Sequence, residues 1–473
     1  MTYSRVLPLI LAVALFMENV DSTVIATSLA AIADDIGTDP IALKLALTSY
    51  LVALAIFIPI SSWMADKYGA RNVFRLAIVV FILGSIACAF SASLEAFVGS
   101  RFLQGMGGAM MTPIARLVIV RIAPRNQLVD AMAWLSIPGL VGPILGPPIG
   151  GFITTYFSWH WIFLINVPIG LIGILAVGRF LPDTQRVAAR RMDFRGFVLA
   201  GTAFAGWVFG VSVLTLPALP ASVGYATLAV GTLAGGLYVW HALTTEYPLL
   251  DLRLFRFPLF RTSVVAGLFF RFGVGATPLL FPLMLQLAFG MSPFQSGMVT
   301  FAGAVGAFAA KFAAEKILAM FGFRTTLIWS TFVTVLGILA MGFYGPTTPT
   351  FVIISILVFT GFFQSMYWTA GSVFNFADIE DKDAGQANVM GQVSVQLSLA
   401  FGVALGGGAL EGMRLLHGGE PQLFDFHVAF YVTAGACFIS TILFWRLPKN
   451  AGSNLSGHGI ARTDAEEAVA ENK

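Results

Sequence analysis

Long apolar stretches alternate with short polar connections along almost the whole chain. A run of about 20 apolar residues is long enough to cross the roughly 30 Å hydrocarbon core of a bilayer as a helix. Such runs fall at 6–28, 45–65, 73–93, 97–119, 131–153, 160–181, 194–216, 223–243, 262–287, 294–317, 325–345, 350–373, 386–410 and 425–446. The pattern predicts fourteen transmembrane helices and an all-α membrane protein, because a helix satisfies its backbone hydrogen bonds within the segment that enters lipid. The first run is too long for a secretory signal and holds two carboxylates, so it is read as an uncleaved span. The polar tail from Asn450 is predicted to be disordered.

Composition agrees with this reading. Only 11% of the 473 residues are charged and 57% are hydrophobic, against roughly 25% charged in soluble domains. Lys67, Arg71 and Arg75, then Arg121 and Arg125, then Arg186, Arg190, Arg191 and Arg195, then Arg253, Arg256 and Arg261 fall in connections of one parity. The positive-inside rule makes that side cytoplasmic and predicts both termini there, in a multi-pass protein of the cytoplasmic (inner) membrane. One connection on that side, Asp378 to Asp383, is acidic, and acids weigh little in the rule. The basic residues are spread over short loops and form no patch for nucleic acid. Cys88 and Cys437 lie in separate apolar spans and are expected to be core residues, and the five histidines are scattered. No phosphate loop, metal-spaced cluster or nucleophile motif is present, which disfavours ATP-driven transport, metal catalysis and an intramembrane enzyme; no cofactor is expected beyond a coupling proton.

The candidate chemistry sits in the first span, where Glu18 and Asp21 lie in otherwise apolar sequence. Ionisable residues at such depth are costly and are functional candidates. At 1.5 Å per residue, Asp21 lies roughly 22 Å from the cytoplasmic end of its helix, and Arg101 only about 6 Å below the outer end of the fourth. Both therefore fall in the outer half of the membrane, where Arg101 can hold Asp21 charged. Glu18, one turn before Asp21, either lines a cavity and titrates or hydrogen-bonds a neighbouring helix while protonated. Arg271 lies deep in the ninth span, as a counter-ion to Glu18 or a contact for an anionic substrate. Arg116 and Lys311 lie nearer cytoplasmic ends, where snorkelling explains them, and Lys311 can pair with Glu315. Gln286, Gln364, Tyr367 and Gln392 join Arg271 as candidate substrate-cavity residues; Asn388, Gln392 and Gln396 form a polar stripe that faces a cavity or another helix.

Several motifs accompany these residues. The fifth span carries Gly142, Gly146, Pro147, Pro148, Gly150 and Gly151, small residues for close helix contact and prolines for bending. Ser62 to Arg71 links spans two and three, with Asp66, Gly69 and Arg71. Arg101 to Gly108 opens span four, and Ser158 to Gly170 leads into span six. A weak repeat pairs Gly69-x-Arg71 with Gly322-x-Arg324.

Together these stretches resemble the major facilitator superfamily, in particular its fourteen-spanner drug:proton antiporter branch (EmrB/QacA type) and the MdtD-like transporters within it. The resemblance implies a six-helix bundle over 1–182, an inserted helix pair and linkers over 183–260, a second six-helix bundle over 261–448 and a cytoplasmic tail over 449–473. It implies Asp21 as a proton site, Arg101 as the coupling cation, Asp66, Gly69 and Arg71 as a cytoplasmic latch between bundles, and the Gly-Pro helix as an antiporter signature. Ser62 and Ala70 depart from the latch pattern, and Ala319 stands where a second acid is expected. The implied function is a monomeric, proton-coupled antiporter exporting drugs or other small organic molecules by alternating access. Export of an anionic metabolite, and a scaffold or receptor without transport, are the alternatives.

Overall fold

A computed structural model of the protein describes residues 3–122, 128–182, 192–214, 216, 220–380, 382–449 and 451–452, with the side chains of 3–6, 128–130, 133 and 136–140 left aside. The tail expected to be disordered, apart from Ala451 and Gly452, and the basic residues Arg125, Arg186, Arg190 and Arg191 lie outside the described residues.

The chain runs through α1 (Tyr3–Val24), α2 (Leu29–Asp35), α3 (Lys44–Tyr68), α4 (Ala70–Ala89), α5 (Leu94–Ile122), α6 (Leu128–Tyr156), α7 (His160–Leu164) and α8 (Asn166–Phe180). It continues through α9 (Phe194–Leu214), α10 (Ala221–Thr244), α11 (Pro258–Leu283), α12 (Pro293–Met341), α13 (Thr350–Phe374), α14 (Ala384–His417) and α15 (Leu423–Trp445). Local chemistry sets several of these limits. Pro258 and Pro293 start their helices where a missing N–H costs nothing, and Ser292 and Gln295 close a reciprocal cap at the start of α12.

Twelve of the described helices are long and apolar enough to cross a membrane, against the fourteen expected. Two features account for the difference. The tenth and eleventh expected spans are joined in the 49-residue α12, which turns sharply at Gly322. The 29-residue α6 corresponds to the fifth expected span, and only part of it lies among the residues whose side chains are described. The first span ends its α-helix at Val24 and continues as a tighter turn over Ile25–Thr27. The sixth span is broken between α7 and α8, and the ninth finishes in a wide turn over Met284–Ala288.

α1, α3, α4, α5, α6 and α8 pack into one set, and α11 to α15 into another. The α9–α10 hairpin leans on α3 and α14, and the two sets meet along two seams, α3 with α14 and α6 with α12. We call the side where α1 begins the near side and its opposite the far side.

The weak sequence repeat is a repeated backbone device. Gly69 and Gly322 each adopt a positive φ, 88° and 70°, that lets one helix stop and the next start at once. Two residues later Arg71 donates to the Gly178 carbonyl of α8, and Arg324 donates to the Trp445 carbonyl of α15 at 2.9 Å. Each arginine thus closes the near side of its own set. The acidic connection on the same side has a local use: the Asp378 carboxylate accepts from the Leu259 and Phe260 N–H groups at 2.7 and 3.1 Å, capping α11, while Asp383 lies 3.5 Å from Arg256.

Gly322→Ala is expected to lower stability by about 1–3 kcal/mol through backbone strain. Gly236, with nothing within 4 Å of an added Cβ, should accept alanine without loss; thermal unfolding of the solubilised protein compares them.

Candidate functional site

The polar segment of α1 bends its own backbone bonds. The Asn19 amide donates to the Leu15 carbonyl at 2.7 Å, and the Thr23 hydroxyl donates to the Asn19 carbonyl at 2.9 Å. Such side-chain bonds compete with the helical ladder, and α1 gives way one turn later. Between them Asp21 points into the first helix set, where it is 2% exposed.

Its carboxylate is fully engaged. Oδ2 accepts from Arg101 Nη1 of α5 at 2.7 Å, while Oδ1 accepts from Gln104 Nε2 at 2.7 Å and from Asn166 Nδ2 of α8 at 2.8 Å. Ser85 of α4 takes further bonds from the same two amides at 2.8 and 3.2 Å, and Arg101 also donates to Gln104 Oε1. The guanidinium lies 4.3 Å from the ring centre of Tyr50 on α3. One ion pair therefore joins α1, α3, α4, α5 and α8 with its oxygens satisfied, the condition under which a buried pair is tolerated in a low-dielectric interior. Arg101 is 1% exposed. The expected pair forms and is sealed inside one helix set.

Glu18 differs from Asp21. It is only half-buried, and its carboxylate accepts from the Thr112 hydroxyl of α5 at 3.1 Å, a neutral partner. It can take or release a proton without an ion pair being broken.

α6 holds α1 in place and forms one seam. A Cβ at Gly142 would lie 2.7 Å from Asn19 Cβ, and one at Gly146 only 1.9 Å from Thr23 Oγ1. On the other side, a Cβ at Gly151 would meet the Pro293 carbonyl oxygen at 2.4 Å, and one at Gly297 the Pro147 carbonyl oxygen at 2.3 Å. Gly150 packs against the Val24 carbonyl. The Gly-Pro helix is thus wedged between α1 and α12, with backbone against backbone.

On the far side the two sets are also joined by polar contacts. Gln286 Nε2 donates to the Thr27 carbonyl at 3.0 Å, so this expected cavity residue is a strut between sets. The Phe294 N–H donates to Thr155 Oγ1 at 3.0 Å. Arg414 of α14 pairs with Asp39 and, at 2.6 Å, with Glu411, beside the fully buried Lys44 at the start of α3.

Two cavities open between the sets. One of about 380 Å³ lies between α6, α12 and α13 and takes in Lys311, Gln364 and Trp368. The other, about 150 Å³, is lined from α5, α11, α13 and α14 and takes in Arg116, Arg271, Tyr367, Trp368 and Gln392. Of the expected cavity residues, Arg271, Tyr367 and Gln392 share the smaller space and Gln364 borders the larger. Lys311 donates to Thr369 at 2.9 Å, the bond found in place of the expected Glu315 pairing. Asp66 lies 2.5 Å from Arg121 of α5, and Arg71 donates to the Gly178 carbonyl of α8, two contacts within the first set. Among the described residues no His, Cys, Asp or Glu group could hold a metal ion.

Gln104, Asn166 and Ser85 went unassigned in the sequence although the first two stand in quoted motifs; a polar amide in a buried span was the available signal. Asp39, Lys44, Glu411 and Arg414 lie at predicted helix ends, where charge is unremarkable.

Two helix sets meeting around interior cavities in a membrane protein define a transporter. The chain belongs to the Major Facilitator Superfamily, whose family model matches residues 11–280 and 263–466. It is similar to a probable transport protein HsrA of Haemophilus influenzae, 35% identical over 448 residues, with 94% of this chain and 96% of the relative covered. It is likewise similar to a putative multidrug resistance protein MdtD of Cronobacter sakazakii, 35% identical over 460 residues, covering 94% and 95%. The fold is that of a solved D-xylose-proton symporter, with TM-score 0.70, 15% identity and coverage of 95% and 99%. The nucleoside transporter NupG gives 0.65 at 15%, covering 93% and 98%.

Asp21→Asn should cost about 3–5 kcal/mol, because it leaves Arg101 buried without a counter-charge. The double variant Asp21→Asn with Arg101→Gln should recover much of that loss. Denaturant unfolding of the two single variants and the double variant closes the cycle.

Proposed function

We propose that the protein is a proton-coupled antiporter that exports drugs or other small organic molecules across the cytoplasmic (inner) membrane by alternating access, as a monomer. In this reading the chain crosses fourteen times, with α12 crossing twice about Gly322 and α6 once, in bundles bounded by 1–182 and 261–448 with a helix pair over 183–260 between them. The near side, which carries the basic connections, is cytoplasmic, as are both termini. Transport, not an enzymatic reaction, is the activity.

The observation that carries the coupling is the unequal treatment of two carboxyls one turn apart. Asp21 is held by Arg101 at 2.7 Å, whereas Glu18 is half-buried against a neutral hydroxyl. Asp21 and Arg101 then serve as the fixed frame of the proton site, and Glu18 as the group that changes charge during the cycle. The contacts from Arg414 to Asp39 and from Gln286 to Thr27 hold the far side shut in this state, so substrate enters from the near side. Outward release requires those contacts to part while the α6–α12 seam acts as the pivot. The multidrug names of relatives about one-third identical support organic molecules as cargo.

The test uses purified protein in vesicles loaded with a pH-sensitive dye and a panel of drugs imposed as gradients. A drug gradient should drive proton movement in the opposite direction, and Glu18→Gln should abolish it while thermal unfolding stays unchanged. Proton movement that persists in Glu18→Gln contradicts the assignment; drug flux with no proton movement in the parent protein contradicts antiport.

A further inference from the structure

Among the described residues two arginines are buried, and their surroundings differ. Arg101 meets a carboxylate at 2.7 Å. Arg271 is 5% exposed, and its Nε and Nη1 are buried with no hydrogen-bond partner. A guanidinium taken out of water without a counter-charge carries a large desolvation penalty. The face of Trp368 at 5.6 Å offsets part of it, and the remainder calls for an acceptor.

The cavity beside Arg271 is built to supply donors. Arg116 of α5 lines it from the opposite helix set, and no described lining residue is acidic. Three amides, Asn375, Asn388 and Gln392, complete the wall, and the first two have their carbonyl oxygens already in use. Asn375 Oδ1 accepts from the Ser263 hydroxyl at 2.6 Å, and Asn388 Oδ1 accepts from Gln392 Nε2 at 3.2 Å. The two guanidinium groups and the NH2 groups of Asn375 and Asn388 face a guest beside the Gln392 amide, and these donors outnumber the acceptors in a way that complements an oxyanion. Trp368 borders this cavity and also the larger one, whose walls include Ala304, Ala307 and Phe308. A charged head at Arg271 therefore has an apolar space for its body alongside.

We propose that this is a binding site for an amphipathic organic anion, with its carboxylate or equivalent oxyanion held between Arg271 and Arg116 and its apolar body against Trp368. The proposal rests on the transporter reading and names the charge of its cargo. It also gives loading a mechanical effect. Arg116 and Arg271 belong to different helix sets and carry like charges, so an anion between them replaces repulsion by attraction and draws the near side together.

The test is equilibrium binding, which needs no proton flow and so stands or falls apart from the Glu18 assay. Purified protein in phosphatidylcholine vesicles is titrated with 2-naphthoate, the neutral 2-naphthamide and the cationic 2-naphthylmethylamine, each followed by its own fluorescence. Naphthoate should bind at least about tenfold more tightly than either of the others. Arg271→Gln and Arg116→Gln should each remove that preference, and thermal unfolding like that of the parent protein reports that the variants are folded. Naphthoate binding no tighter than the amine, or unaffected in both variants, overturns the site. A repeat with phosphatidylglycerol in the vesicles should leave naphthoate affinity unchanged. Competition that disappears in Arg271→Gln would put a lipid phosphate there and overturn its role for a soluble cargo.

Discussion

A charge withdrawn from water must find its compensation in the protein, and this constraint organises the first helix set. Asp21 and Arg101 neutralise each other at 2.7 Å, and the remaining carboxylate lone pairs are met by Gln104 and Asn166. Because the partners come from different helices, the pair fixes how α1, α5 and α8 sit relative to one another. It then sets the position of Glu18, one turn away on α1, and of the Thr112 hydroxyl that meets it. The same rule, left unmet at Arg271, marks the second set as the place where an external group is wanted.

The two sets are joined by different chemistry at different levels. Along the α6–α12 seam, glycine removes side chains so that backbones touch. At the far side, Arg414 with Asp39, and Gln286 with the Thr27 carbonyl, are directional contacts between the sets. A nondirectional pivot combined with a directional clasp suits a machine that alternates between two states. The near-side bonds of Arg71 and Arg324 stay within their own sets and keep each rigid during such a movement.

Much of the fold was readable because hydrophobic length is nearly sufficient to define a membrane helix; the division into helices changed chiefly at Gly322, where two expected spans run on as one. The meeting of Asp21 with Arg101 was also readable, since rise per residue fixes depth and few charges occur at that level. The dryness of the pair was not, because whether a polar group faces water or a neighbouring helix depends on helix rotation, which depth does not determine. Rotation likewise sent Gln286 to a strut while Arg271, Tyr367 and Gln392 came to one cavity. Arg414 escaped notice because charge at a helix end looks like solvation until its partner on another helix is known.

The central claim is that Glu18 changes protonation during the cycle while Asp21 stays paired with Arg101. Infrared difference spectroscopy of the reconstituted protein, stepped across neutral pH, measures this through the carbonyl stretch of protonated carboxyl groups. The account predicts one such band that disappears in Glu18→Gln and keeps its amplitude in the Asp21→Asn, Arg101→Gln double variant. A band that survives in Glu18→Gln and vanishes in the double variant would contradict it.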